Sequence, residues 1–212
     1  MSFPDIEGTL IKLGCGPTGT KTNDPTKPHY TLPAIVDTSS SPPVWIADSL
    51  AIAEYLDAKY PDRPVFPKKG KALEYAFEQC FNSIIRSHLL FLLPSSCAIL
   101  DDRGSEYFRQ TRELLYGKKL EELSPEGETR EGHWRALEAA YDQMAAIIEK
   151  NGPGVDYVAG GNEPTRADII ILSYIVWLKT ILPDEWEKRV KHWSDGRWER
   201  LSQKTKEWQA VI

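Results

Sequence analysis

Residues 29–37 read HYTLPAIVD, an apolar, β-branched run of the kind that makes a buried strand, with Pro33 in its middle. Proline has no N–H to give a sheet ladder and is confined to strand edges, bulges and starts. Pro33 is therefore either an ordinary edge-strand proline or the mark of a special turn, and the segments on either side decide which.

Downstream, the turn TSSSPP at 38–43 separates the run from a second β candidate, so strands are expected at 30–36 and 44–46. Residues 48–60, DSLAIAEYLDAKY, form an amphipathic helix with apolar positions at Leu50, Ile52, Ala53 and Leu56. It ends before the proline-rich PDRPVFP, where a domain boundary fits. Upstream, residues 4–13 suit a short helix starting near Pro4. The stretch 14–28, GCGPTGTKTNDPTKP, shows no periodicity and reads as loop.

Beyond Lys68 the pattern is helical. Leu73, Phe77, Cys80, Ile84, His88 and Phe91 recur at three and four residues, as one face of a long helix would; 106–115 continue in a second. Trp134, Leu137, Tyr141, Met144 and Ile148 keep 3-4-3-4 spacing, and 164–182 is apolar nearly all round, hence central. Two short Trp-bearing helices close the chain. The expected organisation is α+β in two parts, a small α/β unit over 1–67 and an all-helical domain over 68–212.

Composition narrows the function classes. The 212 residues are 41% hydrophobic and 27% charged with a net charge of −5, ordinary for a globular protein. No basic field draws nucleic acid or an anionic membrane. The Trp-rich tail from 183 onward carries seven Lys/Arg against six Asp/Glu, which leaves no nucleic-acid footprint. Cys15, Cys80 and Cys97 are an odd number without a C-x-x-C pair, unlike a disulfide scaffold, zinc site or dithiol centre. His29, His133 and His192 show no metal-ligand spacing. The start is acidic rather than leader-like, and the most apolar segment, 169–178, is half a membrane span. A cytoplasmic location is expected.

A proline in a strand, an acid–serine pair opening the next helix (ADSLAIAEYL, from Ala47) and the later stretch VAGGNEPTRADIIIL (from Val158) together resemble the glutathione S-transferase family. The phrases YTLPAIVD, FPDIEG and ILPDEWEKRVKHWSDGRWERL are similar to its fungal etherase-like class. The resemblance implies that Pro33 is cis, at modest cost for an X–Pro bond, and opens a short strand of a thioredoxin-like domain. The turn would free the backbone N–H and C=O of Leu32 to pair with the cysteinyl unit of glutathione. Asp48 and Ser49 would receive the γ-glutamyl end, since a helix N-terminus favours a carboxylate and Asp48 can accept from an ammonium. Read alone, Asp48 is simply a favoured N-cap.

Thr165 and Asp168 have N-cap and N3 spacing, as in a capping box, a structural pair that touches no ligand. The resemblance places Arg86 and His88 beside a cleft that takes a hydrophobic substrate. A histidine among apolar positions is otherwise a satisfied core residue.

A complete family member has a strand–helix–strand unit ahead of the FPDIEG segment, and such a unit takes about 30 residues. Here the residues before Tyr30 are occupied by a helix and a loop. The expectation is thus an incomplete thioredoxin-like unit lacking the turn that carries the family's catalytic Ser, Tyr or Cys. No catalytic residue is assigned, and Cys15 and Tyr30 are the substitutes weighed. A free cysteine with no activating partner is usually inert.

A lone hairpin is marginal and its edge invites another strand, so a homodimer, a swapped partner or the helical domain is expected to cover 30–46. Two functions follow. The first is a glutathione transferase, with glutathione as co-substrate, attacking electrophilic aromatic or ether compounds. The second is a ligandin-type binder of phenolic or other apolar molecules. No metal, nucleic acid or membrane insertion is expected.

Overall fold

The computed structural model describes residues 1–67 and 70–209. By internal contacts the chain divides into two compact units, Met1–Pro64 with Cys97–Lys119 and Val65–Ser96 with Leu120–Ile212. The stretch 97–119 thus packs with the N-terminal elements, although in sequence it lies inside the helical run.

The first unit opens with a 3-10 turn, Phe3–Asp5, leading into α1 (Ile6–Lys12). Gly14 at φ +75° closes α1: the N–H of Gly14 reaches Ile11 O at 3.0 Å and that of Cys15 reaches Leu10 O at 2.9 Å, a Schellman motif with its apolar pair Leu10 and Cys15 buried. The stretch expected to be loop holds a hairpin instead, β1 (Gly19–Lys21) against β2 (Asp24–His29), antiparallel. No apolar alternation announced it, because both strands are largely exposed and β2 contains Pro25 and Pro28.

Next come β3 (Ala34–Asp37) and β4 (Val44–Ala47), an antiparallel pair in register from Ala34↔Ala47 to Asp37↔Val44. Residues 30–33 precede the ladder rather than belonging to it. Helix α2 (Ser49–Lys59) packs on this pair. Helix α5 (Asp102–Tyr116) lays Phe108 edge-on against Phe3 at 5.9 Å and pairs Arg103 with Asp5.

Among its described residues the second unit has helices and no strand. α3 covers Lys71–Ile84, and the single long helix expected through Phe91 does not form. Short 3-10 turns at Arg86–His88 and Leu90–Leu92 follow, and α4 (Leu93–Ala98) restarts the helix. Pro94 falls in the first turn of α4, where a proline is tolerated, whereas inside a continuous helix its ring would clash with the Leu90 carbonyl. The buried face of α3 is also displaced. Leu73 is 73% exposed while Glu74, Phe81 and Ile85 are buried.

α6 (Glu128–Ile148) buries Trp134, Leu137, Tyr141, Met144 and Ile148, all on the expected stripe. α7 (Arg166–Ile181) is the central helix, with Ile171, Ile175 and Leu178 enclosed. α8 (Pro183–Lys188) and α9 (Trp193–Lys204) bring Trp186, Trp193 and Trp198 into the same core, where Tyr141 meets Trp198 edge-on at 5.1 Å.

Candidate functional site

The site is built by the β3–β4 register. Pairing Ala34 with Ala47 puts the residues just outside the ladder, Pro33 and Asp48, opposite each other, and Asp48 N donates to Pro33 O at 3.3 Å. The Leu32–Pro33 peptide is cis. Leu32 is 48% exposed, and among the described residues its backbone has no hydrogen-bond partner. That leaves an N–H and a C=O at the surface, where unpaired backbone groups take a strand-like ligand.

Asp48 sits at φ 82°, ψ 126°, positive for a residue with a Cβ, and such outliers cluster at ligand sites. Its Oδ1 accepts from the N–H of Leu50 at 3.0 Å and of Ala51 at 3.1 Å. Ile52 N reaches Asp48 O at 2.9 Å. Of the first four N–H groups of α2, that of Ser49 alone has no partner among the described residues. Ser49 also carries a hydroxyl, and both residues are exposed. The head of α2 therefore offers two donors on one residue, at the positive end of the helix dipole, beside a carboxylate. A ligand bearing a carboxylate next to an ammonium fits that arrangement.

The other end of α2 is held by Asp37, the last residue of β3. Tyr55 and Lys59 both donate to its Oδ2, and Ser39 donates to Oδ1 through its N–H at 2.9 Å and its hydroxyl at 2.8 Å. Lys59 first, then Tyr55 and Ser39, hold the Asp37 carboxyl well below the usual carboxylate range. No motif in the sequence joined these residues.

Arg86 is exposed and His88 half-buried, on one 3-10 turn of the second unit. Leu32, Pro33, Asp48 and Ser49 belong to the first. Cys15, expected in the 14–28 loop, is only 4% exposed and held in the close of α1. His133 shares a 2.9 Å hydrogen bond with Ser124 and packs against Phe91. Among the described residues no cluster of His, Cys, Asp and Glu could hold a metal ion, and no helix is long and apolar enough to cross a membrane.

Thr165 caps α7 in a capping box. Oδ2 of Asp168 accepts from Thr165 N at 2.8 Å and Oδ1 from Val158 N at 2.9 Å, and burial nonetheless pushes its carboxyl up. Glu74 completes the helix start, its Oε2 accepting from Ala167 N at 2.7 Å. That role explains why a charged residue takes the inward place on α3 and Leu73 the outward one.

Residues 72–208 match the family model described as the C-terminal domain of glutathione S-transferases. A curated relative, the glutathione S-transferase-like protein ustS of Aspergillus flavus, is 33% identical over 98% of this chain and 76% of its own length. Among solved structures, the glutathione S-transferase CsGST63524 of Ceriporiopsis subvermispora, in complex with glutathione, superposes with a TM-score of 0.91 at 35% identity, over 100% of this chain and 84% of that one. The glutathione transferase GSTFuA3 of Phanerochaete chrysosporium gives 0.88 at 32%, over 100% and 83%. These folds also account for the two small sheets followed by helices, an α+β architecture with part of a thioredoxin-like unit ahead of a helical C-terminal domain. With a family model spanning more than half of its residues and relatives above 30% identity that match it nearly end to end, the chain belongs to the glutathione S-transferase family.

Proposed function

We propose that the chain binds glutathione at Leu32, Pro33, Asp48 and Ser49, and that it acts as a transferase of the fungal etherase-like type. The observation that carries this reading is the pairing of the exposed cis Leu32–Pro33 turn with the head of α2. The backbone of Leu32 would hold the cysteinyl unit as a strand holds its neighbour. The N–H and hydroxyl of Ser49 would take the γ-glutamyl carboxylate, and Asp48 its ammonium. Support comes from the solved relatives that contain glutathione at 35% and 34% identity. The bound thiol would then lose its proton and attack as thiolate an electrophilic aromatic or ether carbon, the C–S bond forming as the leaving group departs with the electron pair of the broken bond and the proton balances the charge it carries away. Arg86 and His88 are proposed to face the hydrophobic substrate.

A homodimer of cytoplasmic location belongs to the same reading. Support for the dimer comes from Leu114, Leu115 and Tyr116, exposed together at the end of α5. A second reading, a ligandin-type carrier of phenolic or other apolar molecules, is favoured by Cys15. The cysteine nearest the site in sequence is closed under α1 and out of reach of a substrate.

Titration calorimetry with glutathione tests the binding. Ser49→Ala should weaken it about tenfold, the loss of one hydrogen bond to a charged group, and an unchanged affinity would remove Ser49 from the site. Catalysed formation of a glutathione–aryl conjugate from an electrophilic aryl compound then separates the transferase from the carrier.

A further inference from the structure

We infer that Asp37 is a positioning residue for the glutathione site. By holding Tyr55 and Lys59 of α2 to the far end of β3, it fixes the angle at which the head of that helix presents Asp48 and Ser49 to the ligand. The inference rests on the site reading given above, and its test separates the two.

Apolar packing sets the pose of α2 only weakly. Its one buried residue is Ile52, and Leu56, on the expected apolar face, is exposed. A single enclosed isoleucine stabilises by about 1.5–3 kcal/mol, but with the rest of its side chains half-buried or exposed the helix can pivot about it. By comparison, α6 is fixed along its length by a stripe of enclosed side chains.

Polar contacts reinforce α2 at its two ends. At the head, Asp48 N meets Pro33 O at 3.3 Å, a long bond. Toward the tail, one carboxylate gathers the Tyr55 hydroxyl, the Lys59 ammonium and both donors of Ser39. Charge-assisted bonds of this kind are the strong ones. Lys59 lies in addition over the Tyr55 ring, 5.8 Å from its centroid, and over that of Tyr60 at 5.9 Å.

The geometry makes a lever. At 1.5 Å per residue, Ser49 lies about 9 Å along the helix from Tyr55 and about 15 Å from Lys59. Tilted by about 10° about Ile52, some three residues or about 4.5 Å from Ser49, the helix displaces its head by about 0.8 Å, which exceeds the roughly 0.5 Å between 2.7 and 3.2 Å that a hydrogen bond tolerates. Because Pro33 and Asp37 bracket the same short strand, the strand that supplies the cysteinyl contact also sets the helix that supplies the γ-glutamyl contact. The two halves of the ligand site are thereby kept in one spacing.

The test is calorimetric titration of wild type, Asp37→Asn and Lys59→Arg with glutathione, together with the ligand-free amide resonances of residues 49–51. Asp37→Asn keeps the shape and removes the charge. It should weaken glutathione about tenfold, as one lost bond to the ligand's carboxylate would, and move the Ser49 and Leu50 resonances in the absence of ligand. Lys59→Arg preserves the pair and should bind within about threefold of wild type.

If wild type binds and Asp37→Asn binds equally well, the positioning role is wrong and the site reading stands. If wild type does not bind, the site reading fails and the resonances alone decide: unmoved Ser49 and Leu50 signals overturn the lever. Should Asp37→Asn fail to fold, Tyr55→Phe removes one donor only. It should weaken binding about threefold, the lower end of a single hydrogen bond, and unchanged affinity there would overturn the inference.

Discussion

Replacing Asp48 by alanine and by glycine separates its two roles, cap and ligand contact, from the backbone it occupies. Its φ of 82° and ψ of 126° are adopted by a residue with a Cβ at a cost of about 1–3 kcal/mol. Oδ1 offsets part of that through the N–H groups of Leu50 and Ala51, a cap worth about 1 kcal/mol. Asp48→Ala deletes the cap and keeps the Cβ, so it should destabilise by about 1 kcal/mol. Asp48→Gly deletes the same cap but relieves the backbone, against about 0.5–1 kcal/mol of extra freedom in the unfolded chain.

The glycine variant should therefore be more stable than the alanine variant by about 1 kcal/mol. Both should bind glutathione about tenfold more weakly, since the carboxylate that meets the ammonium is gone. Equilibrium urea unfolding measures the first quantity and calorimetry the second. An alanine variant at least as stable as the glycine variant would refute the backbone argument. A glycine variant with wild-type affinity would refute the ligand role of Asp48.

Three further outcomes follow from the packing. Leu137 is fully enclosed on α6, so Leu137→Ala should cost about 2–5 kcal/mol in denaturant unfolding. The folded carboxyl of Asp37 is depressed, so its contribution is present above the ordinary aspartate value near 4 and is lost as pH falls below it. The thermal midpoints of wild type and Asp37→Asn should accordingly differ at neutral pH and converge in acid, and a gap that stays constant with pH would contradict the sign. Cys15 and Cys97 are buried while Cys80 is half-exposed, so a thiol reagent should modify Cys80 in the native protein and the other two only on unfolding, as read by mass spectrometry of peptides.

The parts of the fold legible in sequence are those where apolar periodicity alone sets the packing. The Trp134-to-Ile148 stripe became α6 with every member enclosed, and the apolar run after Thr165 became the central helix. Elsewhere a polar task overrode the pattern. On α3 the inward place went to Glu74, because its carboxylate caps α7, and Leu73 was turned outward. The β1–β2 hairpin escaped notice because neither strand buries an apolar face from which a period of two could be read.

At the candidate site, the letters LP and DS named Leu32, Pro33, Asp48 and Ser49, but the register that sets Pro33 against Asp48 is a property of the sheet. The carboxylate of Asp37 meets Lys59 across 22 positions of sequence. No local motif spans such a distance, so the contact that orients α2 had no signature to find.

The most direct test of the account is titration of the folded 212-residue chain with glutathione in a calorimeter. Saturable one-site binding, weakened in Ser49→Ala, is the result the geometry of the α2 head predicts. A folded sample that takes up no heat and shows no change in the amide resonances of Leu32 and Ser49 at millimolar glutathione would contradict it.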